Sequence, residues 1–221
     1  MKSLVKRSLV MAAHVIVLPA VAACLALRAV GCKDTAITGW SQAFSLIPGT
    51  TGVLLRQAFF SWTLARCGRD ACVSFGTLFS HSNASIGNST YIGNYCSIGD
   101  VQIDDDVLIA SHVSIMNGCR QHGTGRLDIP VREQQGVYEP ISIGCDSWIG
   151  ERATIAASVG RHCVIGAGSL VLSPIPDYAV AVGVPARVIK DRRQLTDPVS
   201  DSRRDPTTQL AGRPGESSSS S

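Results

Sequence analysis

Aromatic side chains are scarce: Phe, Trp and Tyr make up 5% of the 221 residues. Large rings can fill little of the interior, and the plentiful Gly, Ala, Ile and Val suit tight turns and narrow, regular packing. The eight cysteines stand singly at 24, 32, 67, 72, 96, 119, 145 and 163, and none forms a Cys-x-x-Cys pair. Zinc knuckles and redox pairs are therefore not signalled. Reduced cysteine acting as a small buried apolar residue is the expectation, with disulfides as the alternative. The net charge is only +3. No Lys/Arg run is interleaved with aromatics, so nucleic acid is not an expected partner.

Acidic residues are absent from the first 33 positions, which hold five basic ones: Lys2, Lys6, Arg7, Arg28 and Lys33. Between Arg7 and Arg28 run 20 uncharged residues, long enough for a bilayer core of about 30 Å. His14 and Pro19 interrupt that run, and basic residues at both ends blur its orientation. A helix lying in the interface is the alternative to a span. Val21-Ala22-Ala23-Cys24 imitates a lipoprotein cleavage box, yet the apolar run continues through Leu25 and Leu27. Membrane association without export of the main domain is expected.

Pro48-Gly49 marks a turn, after which Leu55, Ala58, Phe59, Trp62 and Ala65 recur at helical spacing. Arg56 and Arg66 punctuate this apolar surface. The segment reads as a helix packed on the main domain or as a second membrane-contacting helix. Residues 1–72 together form an apolar, helical, membrane-associated segment.

From there a beat of six governs the chain. Ile86, Ile92 and Ile98 are six apart, one shortened step leads to Ile103, and the beat continues through Ile109 and Ile115. It resumes at Ile143, Ile149 and Ile155, slips, then runs Val159, Ile165 and Val171. Six residues make one short strand and one corner of a coil with three flat faces. The inward residues stack in ladders, and one coil cannot bury its apolar face alone, so several must stack. Hairpins would need Asn-Gly or Asp-Gly turns between alternating strands, and heptad coiled coils do not fit a period of six.

The motifs "ASIGNSTYIGNYCSIG", "ISIGCDSWIGERATI", "VIGAGSLV" and "IPDYAVAVGVPARVIK" resemble those of the hexapeptide-repeat acyltransferases. Together with "IPGTTGVLLRQAFF" and "QHG", they are most similar to bacterial exopolysaccharide and galactoside/maltose-type O-acetyltransferases. The resemblance implies a left-handed parallel β-helix over residues 73–190, following the apolar helical segment, and a homotrimer with sites between subunits. Residues 191–221 lack any apolar period and read as a disordered tail.

One stretch abandons the beat for 24 residues, 117–140, and contains His122 between Gln121 and Gly123. A long excursion from a rigid scaffold is a place for function. An imidazole can take or give a proton near neutral pH. Acyl transfer to a hydroxyl needs such a base as oxygen attacks the thioester carbonyl. The family's loop histidine plays that role, and His122 matches it, about two residues later than in the galactoside/maltose-type enzymes. A solvated loop histidine is the bland alternative.

The resemblance also implies a donor site for acetyl-CoA or another acyl-CoA, a co-substrate and not a resident cofactor. Trp148 would wall the pantetheine arm, with Glu151 beside it; Ala167 would let the thiol arm approach the backbone. Arg187 and Lys190 would hold phosphates. Leu172-Ser173 stands where relatives often carry Thr-Lys, so Ser173 would meet the donor with one cation fewer. His112 and His122 are ten apart with no third partner, and no metal site is expected.

The expected activity is O-acyl transfer to a sugar or a lipid-linked oligosaccharide at the cytoplasmic face of the inner membrane. The alternatives are N-acyl transfer to an amino-sugar, and a non-enzymatic membrane scaffold of the same fold.

Overall fold

The computed structural model describes residues 2–194. Most of the tail assigned from 191 onward lies outside the described residues. Three helices come first: α1 (Lys2–Ala29), α2 (Lys33–Ser45) and α3 (Gly49–Thr63). Pro48 precedes α3 as its N-cap, in extended conformation. Its ring fixes φ near the value a helix start accepts, and its missing N–H is not needed there.

A parallel β-solenoid follows. Coil one holds β1 (Arg66–Cys67), β2 (Cys72–Val73) and β3 (Leu78–Phe79). Coil two holds β4 (Ser85–Ile86), β5 (Tyr91–Ile92) and β6 (Ser97–Ile98). Coil three holds β7 (Val101–Ile103), β8 (Leu108–Ile109) and β9 (Ser114–Ile115). After the excursion, coil four holds β10 (Ile141–Ile143), β11 (Trp148–Ile149) and β12 (Thr154–Ile155). Coil five passes through Val159, β13 (Val164–Ile165) and β14 (Leu170–Val171). Coil six passes through Ile175 into β15 (Ala179–Gly183), and β16 (Ala186–Asp191) turns back along it.

The strands assemble into three sheets. Face A runs β1-β4-β7-β10, face B runs β16-β15-β13-β11-β8-β5-β2, and face C runs β14-β12-β9-β6-β3. All pairs are parallel except β15 with β16. The inward ladder residues Ile86, Ile92, Ile98, Ile109, Ile143, Ile149, Ile155 and Val171 are fully buried. Coil one begins at Arg66, inside the stretch read as helical. Its ladder keeps the spacing of six but carries Cys67, Val73 and Phe79 in place of isoleucine, which hid it from the pattern. Burial pushes the Cys67 thiol up to about 12.

The irregularities gather on one edge. From face A to B and from B to C, inward residues stay six apart: 67, 73, 79; 86, 92, 98; 103, 109, 115; 143, 149, 155; 159, 165, 171. From C to A the step is seven (79 to 86), five (98 to 103) or four (155 to 159 and 171 to 175). The excursion 117–140 leaves from this same C–A edge. The A–B and B–C edges turn through left-handed residues, with Asp106, Asp146 and His162 on one and Tyr95, His112 and Arg152 on the other.

Helices α2 and α3 close the first coil. Five of the chain's twelve aromatic rings gather there, Trp40, Phe44, Phe59, Phe60 and Phe79: Phe44 lies 4.7 Å from Phe59 between centroids and Phe60 4.8 Å from Phe79. Ser41 Oγ accepts the Phe79 N–H (2.8 Å), and Asp34 accepts from Ser82 N (3.0 Å). The side of α3 that packs is Gly52, Arg56, Ala58, Phe59, Phe60 and Thr63. It is rotated from the stripe expected through Trp62, which is half exposed. Arg56 is fully buried and donates to the carbonyls of Val73 (2.8 Å), Phe44 (2.9 Å) and Ile47 (2.8 Å). Desolvation lowers its pKa.

Candidate functional site

The excursion is a ribbon of two arms with a folded tip. At its root Asn117 is buried, and its side-chain amide brackets Asp100: Oδ1 accepts from Asp100 N (3.1 Å) and Nδ2 donates to Asp100 O (3.0 Å). Gly118 follows at φ 81°, a conformation glycine adopts without strain. The arms then run side by side. Glu139 N donates to Asn117 O (3.2 Å), and Val137 N to Arg120 O (2.7 Å). Arg120 and Glu139 form an ion pair across the arms. At the tip, Gln134 Oε1 accepts from Arg126 N (3.0 Å), while its Nε2 donates to Arg126 O (2.7 Å) and Ile129 O (3.2 Å). A 3-10 turn, Val131–Glu133, leads back into the second arm.

His122 sits on the first arm, exposed. It lines an open depression of about 400 Å³ with Arg132, Glu133, Gln135 and Tyr138. Among the described residues none hydrogen-bonds to its imidazole, so the ring is free to meet a ligand. A second hollow of about 300 Å³ lies at the ribbon root, between Cys119, Arg120 and Glu139 on one side and Ala157, Ser158, Leu172 and Pro174 on the other. Ser173, between the last two in sequence, is exposed.

The other expected site residues occupy face B and the B–C edge. Trp148, half exposed, stands in an outward row whose register runs Tyr91, Leu108, Trp148, Val164, Val180, Lys190. Glu151 and Ala167 are exposed neighbours on successive coils: Gly168 N donates to Glu151 O (2.7 Å), and a β-carbon on Gly150 would lie 2.5 Å from Ala167 N. Lys190 pairs with Val180 and Arg187 with Val182 on the antiparallel β16. Within one chain the structure brings Trp148, Glu151 and Ala167 together, with Lys190 along the same row. It sets His122 and Ser173 on a different edge.

Several neighbours carry no sequence signal. Arg132 and Tyr138 reach the His122 depression only because the ribbon folds back on itself. Tyr95 and His112 stack on the B–C edge, 5.3 Å apart with 16° between planes. The Tyr95 ring lies where a side chain on Gly76 would be, 2.4 Å from its would-be β-carbon. Their shared corner position, one coil apart, was the available clue. His162 is tied up: Nδ1 contacts Asp146 Oδ2 (2.9 Å), and the ring stacks on Tyr178 at 4.9 Å. The bond from His162, with Arg192 beside it, holds the Asp146 carboxyl below its usual range. Among the described residues no three His, Cys, Asp or Glu side chains gather as a metal site.

Comparison with known proteins agrees with this architecture. No family model matches the chain. The Mycobacterium tuberculosis protein Rv3034c is 33% identical over 120 residues, 53% of this chain but only 38% of that protein. The galactoside O-acetyltransferase of Escherichia coli K12 is 36% identical over 144 residues, 62% of this chain and 68% of the enzyme. Among solved structures, a galactoside acetyltransferase in complex with coenzyme A superposes with a TM-score of 0.62 at 30% identity, covering 72% of this chain and 80% of that one. The stacked three-faced coils, the period of six and this extent of identity have one common source: the chain belongs to the hexapeptide-repeat acyltransferases.

Proposed function

We propose that the chain is an acyl-CoA-dependent O-acyltransferase, an acetyltransferase, that acts on a sugar or lipid-linked oligosaccharide. The observation that carries this reading is His122: an imidazole that no described residue hydrogen-bonds, on a braced ribbon that leaves a rigid solenoid. The acceptor hydroxyl gives its proton to His122 while its oxygen attacks the thioester carbonyl. The C–O bond forms, the C–S bond breaks, and the thiolate leaves to be protonated by the imidazolium. General base catalysis of this kind contributes about 10²–10⁴-fold.

The coenzyme A bound by the related galactoside acetyltransferase supports a donor site of Trp148, Glu151, Ala167, Ser173, Arg187 and Lys190 in this chain. One chain sets His122 and the Trp148 row on different edges, which favours a homotrimer with each site built from two subunits. The apolar α1 supports association with the cytoplasmic face of the inner membrane.

Labelled acetyl-CoA and a panel of glycans test the reading. Wild type transfers label to a glycan, and His122→Ala loses at least about 100-fold in turnover with its sedimentation mass unchanged. Full turnover by His122→Ala, or no transfer to any glycan, refutes it.

A further inference from the structure

Helix α1 has 23 consecutive residues, Arg7–Ala29, apolar enough for a membrane, and yet it is not free on all sides. Ala13, Val17, Ala20, Val21 and Cys24 form one buried stripe against α3 and α2. The opposite side exposes Met11, Val15, Ile16, Leu18 and Leu25. From Leu9 onward only His14 and Arg28 bring a polar side-chain nitrogen to the helix, and both turn inward to α3. His14 Nδ1 accepts from Trp62 Nε1 (3.1 Å), and Arg28 Nη1 donates to the Thr63 carbonyl (2.6 Å). The outer side from Leu9 to Leu27 is thereby left with no polar side chain. A helix facing water carries polar residues there.

Charge identifies the occupant as lipid. Lys2, Lys6 and Arg7 precede the apolar stretch, Lys33 follows it, and the first acid is Asp34. Cations at both ends of an apolar face suit anionic headgroups above an acyl layer. The buried stripe settles the pose. It runs from residue 13 to 24, roughly 17 Å of helix at 1.5 Å per residue. A crossing helix would draw the layer packed on that stripe into hydrocarbon, with Lys33, Asp34 and Gln42 exposed on α2 and Thr50, Thr51 and Ser61 on α3. Charged groups are rare there.

We propose that α1 lies in the plane of one leaflet of an anionic bilayer, outer side down, with both its ends on the same side as the solenoid. This deepens the membrane contact of the reading above and rests on it. The helix is not amphipathic by composition; α2 and α3 supply its polar side. The excursion leaves after the third coil. With strands about 4.8 Å apart and a helical layer of about 10 Å beneath, it stands roughly 20 Å above the leaflet, within reach of a lipid-linked sugar.

The test uses the full chain with one epitope at each end, expressed in bacteria. In-plane binding predicts that both epitopes resist protease in intact spheroplasts and are digested in inverted membrane vesicles. Digestion of the amino-terminal epitope in spheroplasts overturns the in-plane pose and leaves the membrane reading standing. Recovery of the protein in the membrane-free supernatant overturns both. Ile16→Asp, on the outer side, is expected to lower the membrane-bound fraction at least about 10-fold with the melting midpoint retained. An unchanged fraction, or a loss of self-association in its place, overturns the proposal.

Discussion

Gly136 lies so close to Gln121 that a β-carbon on it would sit 2.0 Å from the Gln121 carbonyl oxygen and 2.5 Å from the backbone nitrogen of His122. The two arms of the excursion touch through bare backbone at the residue that carries the imidazole.

Gly136→Ala is therefore expected to shift the first arm and His122 with it. The arms are exposed, so the melting temperature should hardly move. A misplacement of about 1 Å can cost around 100-fold in rate. Turnover is expected to fall by 10-fold or more, measured with labelled acetyl-CoA, and an unchanged rate would show that the ribbon does not position the base.

Arg56 makes a stability prediction. Replacing it with Ala removes a donor from three carbonyls, those of Val73, Phe44 and Ile47, of which, among the described residues, only Phe44's keeps a second donor, the Ile47 N–H (3.3 Å). Each unsatisfied buried group costs about 1–3 kcal/mol, so Arg56→Ala is expected to destabilise by about 2 kcal/mol or more in denaturant titration. Arg56→Lys can renew only part of that fork and should fall between.

Asp146 sets the acid response of the last coils. Its folded pKa is depressed, by the bond from His162 first and by Arg192 next. A depressed carboxylate contributes stability that is fully present above the unfolded value of about 3.9 and is lost as pH falls through the lower folded value. Melting temperature is expected to stay level from pH 7 to 5 and to drop below about pH 4. Asp146→Asn should be less stable than wild type at pH 7, with the gap closing towards pH 2. A constant gap across that window would contradict the assignment.

The inward ladder should be cooperative. Ile109 and Ile149 are paired on neighbouring strands, and both are fully buried. Each change to Ala is expected to cost about 2–5 kcal/mol. The double variant should depart from the sum by at least about 0.5 kcal/mol, because the two cavities merge.

The solenoid was legible because one residue in six must point inward, and isoleucine at 86, 92, 98 and 109 announces this. Coil one was hidden: Cys67, Val73 and Phe79 keep the spacing without the residue type. The role of Arg56 was out of reach, since its partners are main-chain carbonyls, 17 residues away for Val73, and main chain leaves no trace in side-chain pattern. His122 stood out as the histidine inside the interruption. Its companions Arg132 and Tyr138 did not, because only the folding of the ribbon brings them back to it. The concentration of every irregular step on the C–A edge became visible once the faces were assigned.

The first coil is covered by α2 and α3, and at the far end the returning strand β16 runs antiparallel along the last strand of face B. A parallel stack left bare would offer a full rung of unpaired N–H and C=O groups to any other chain, a template for end-to-end growth. The helices at one end, and on face B the reversed strand at the other, thus interrupt that template in a protein built like a slice of fibril.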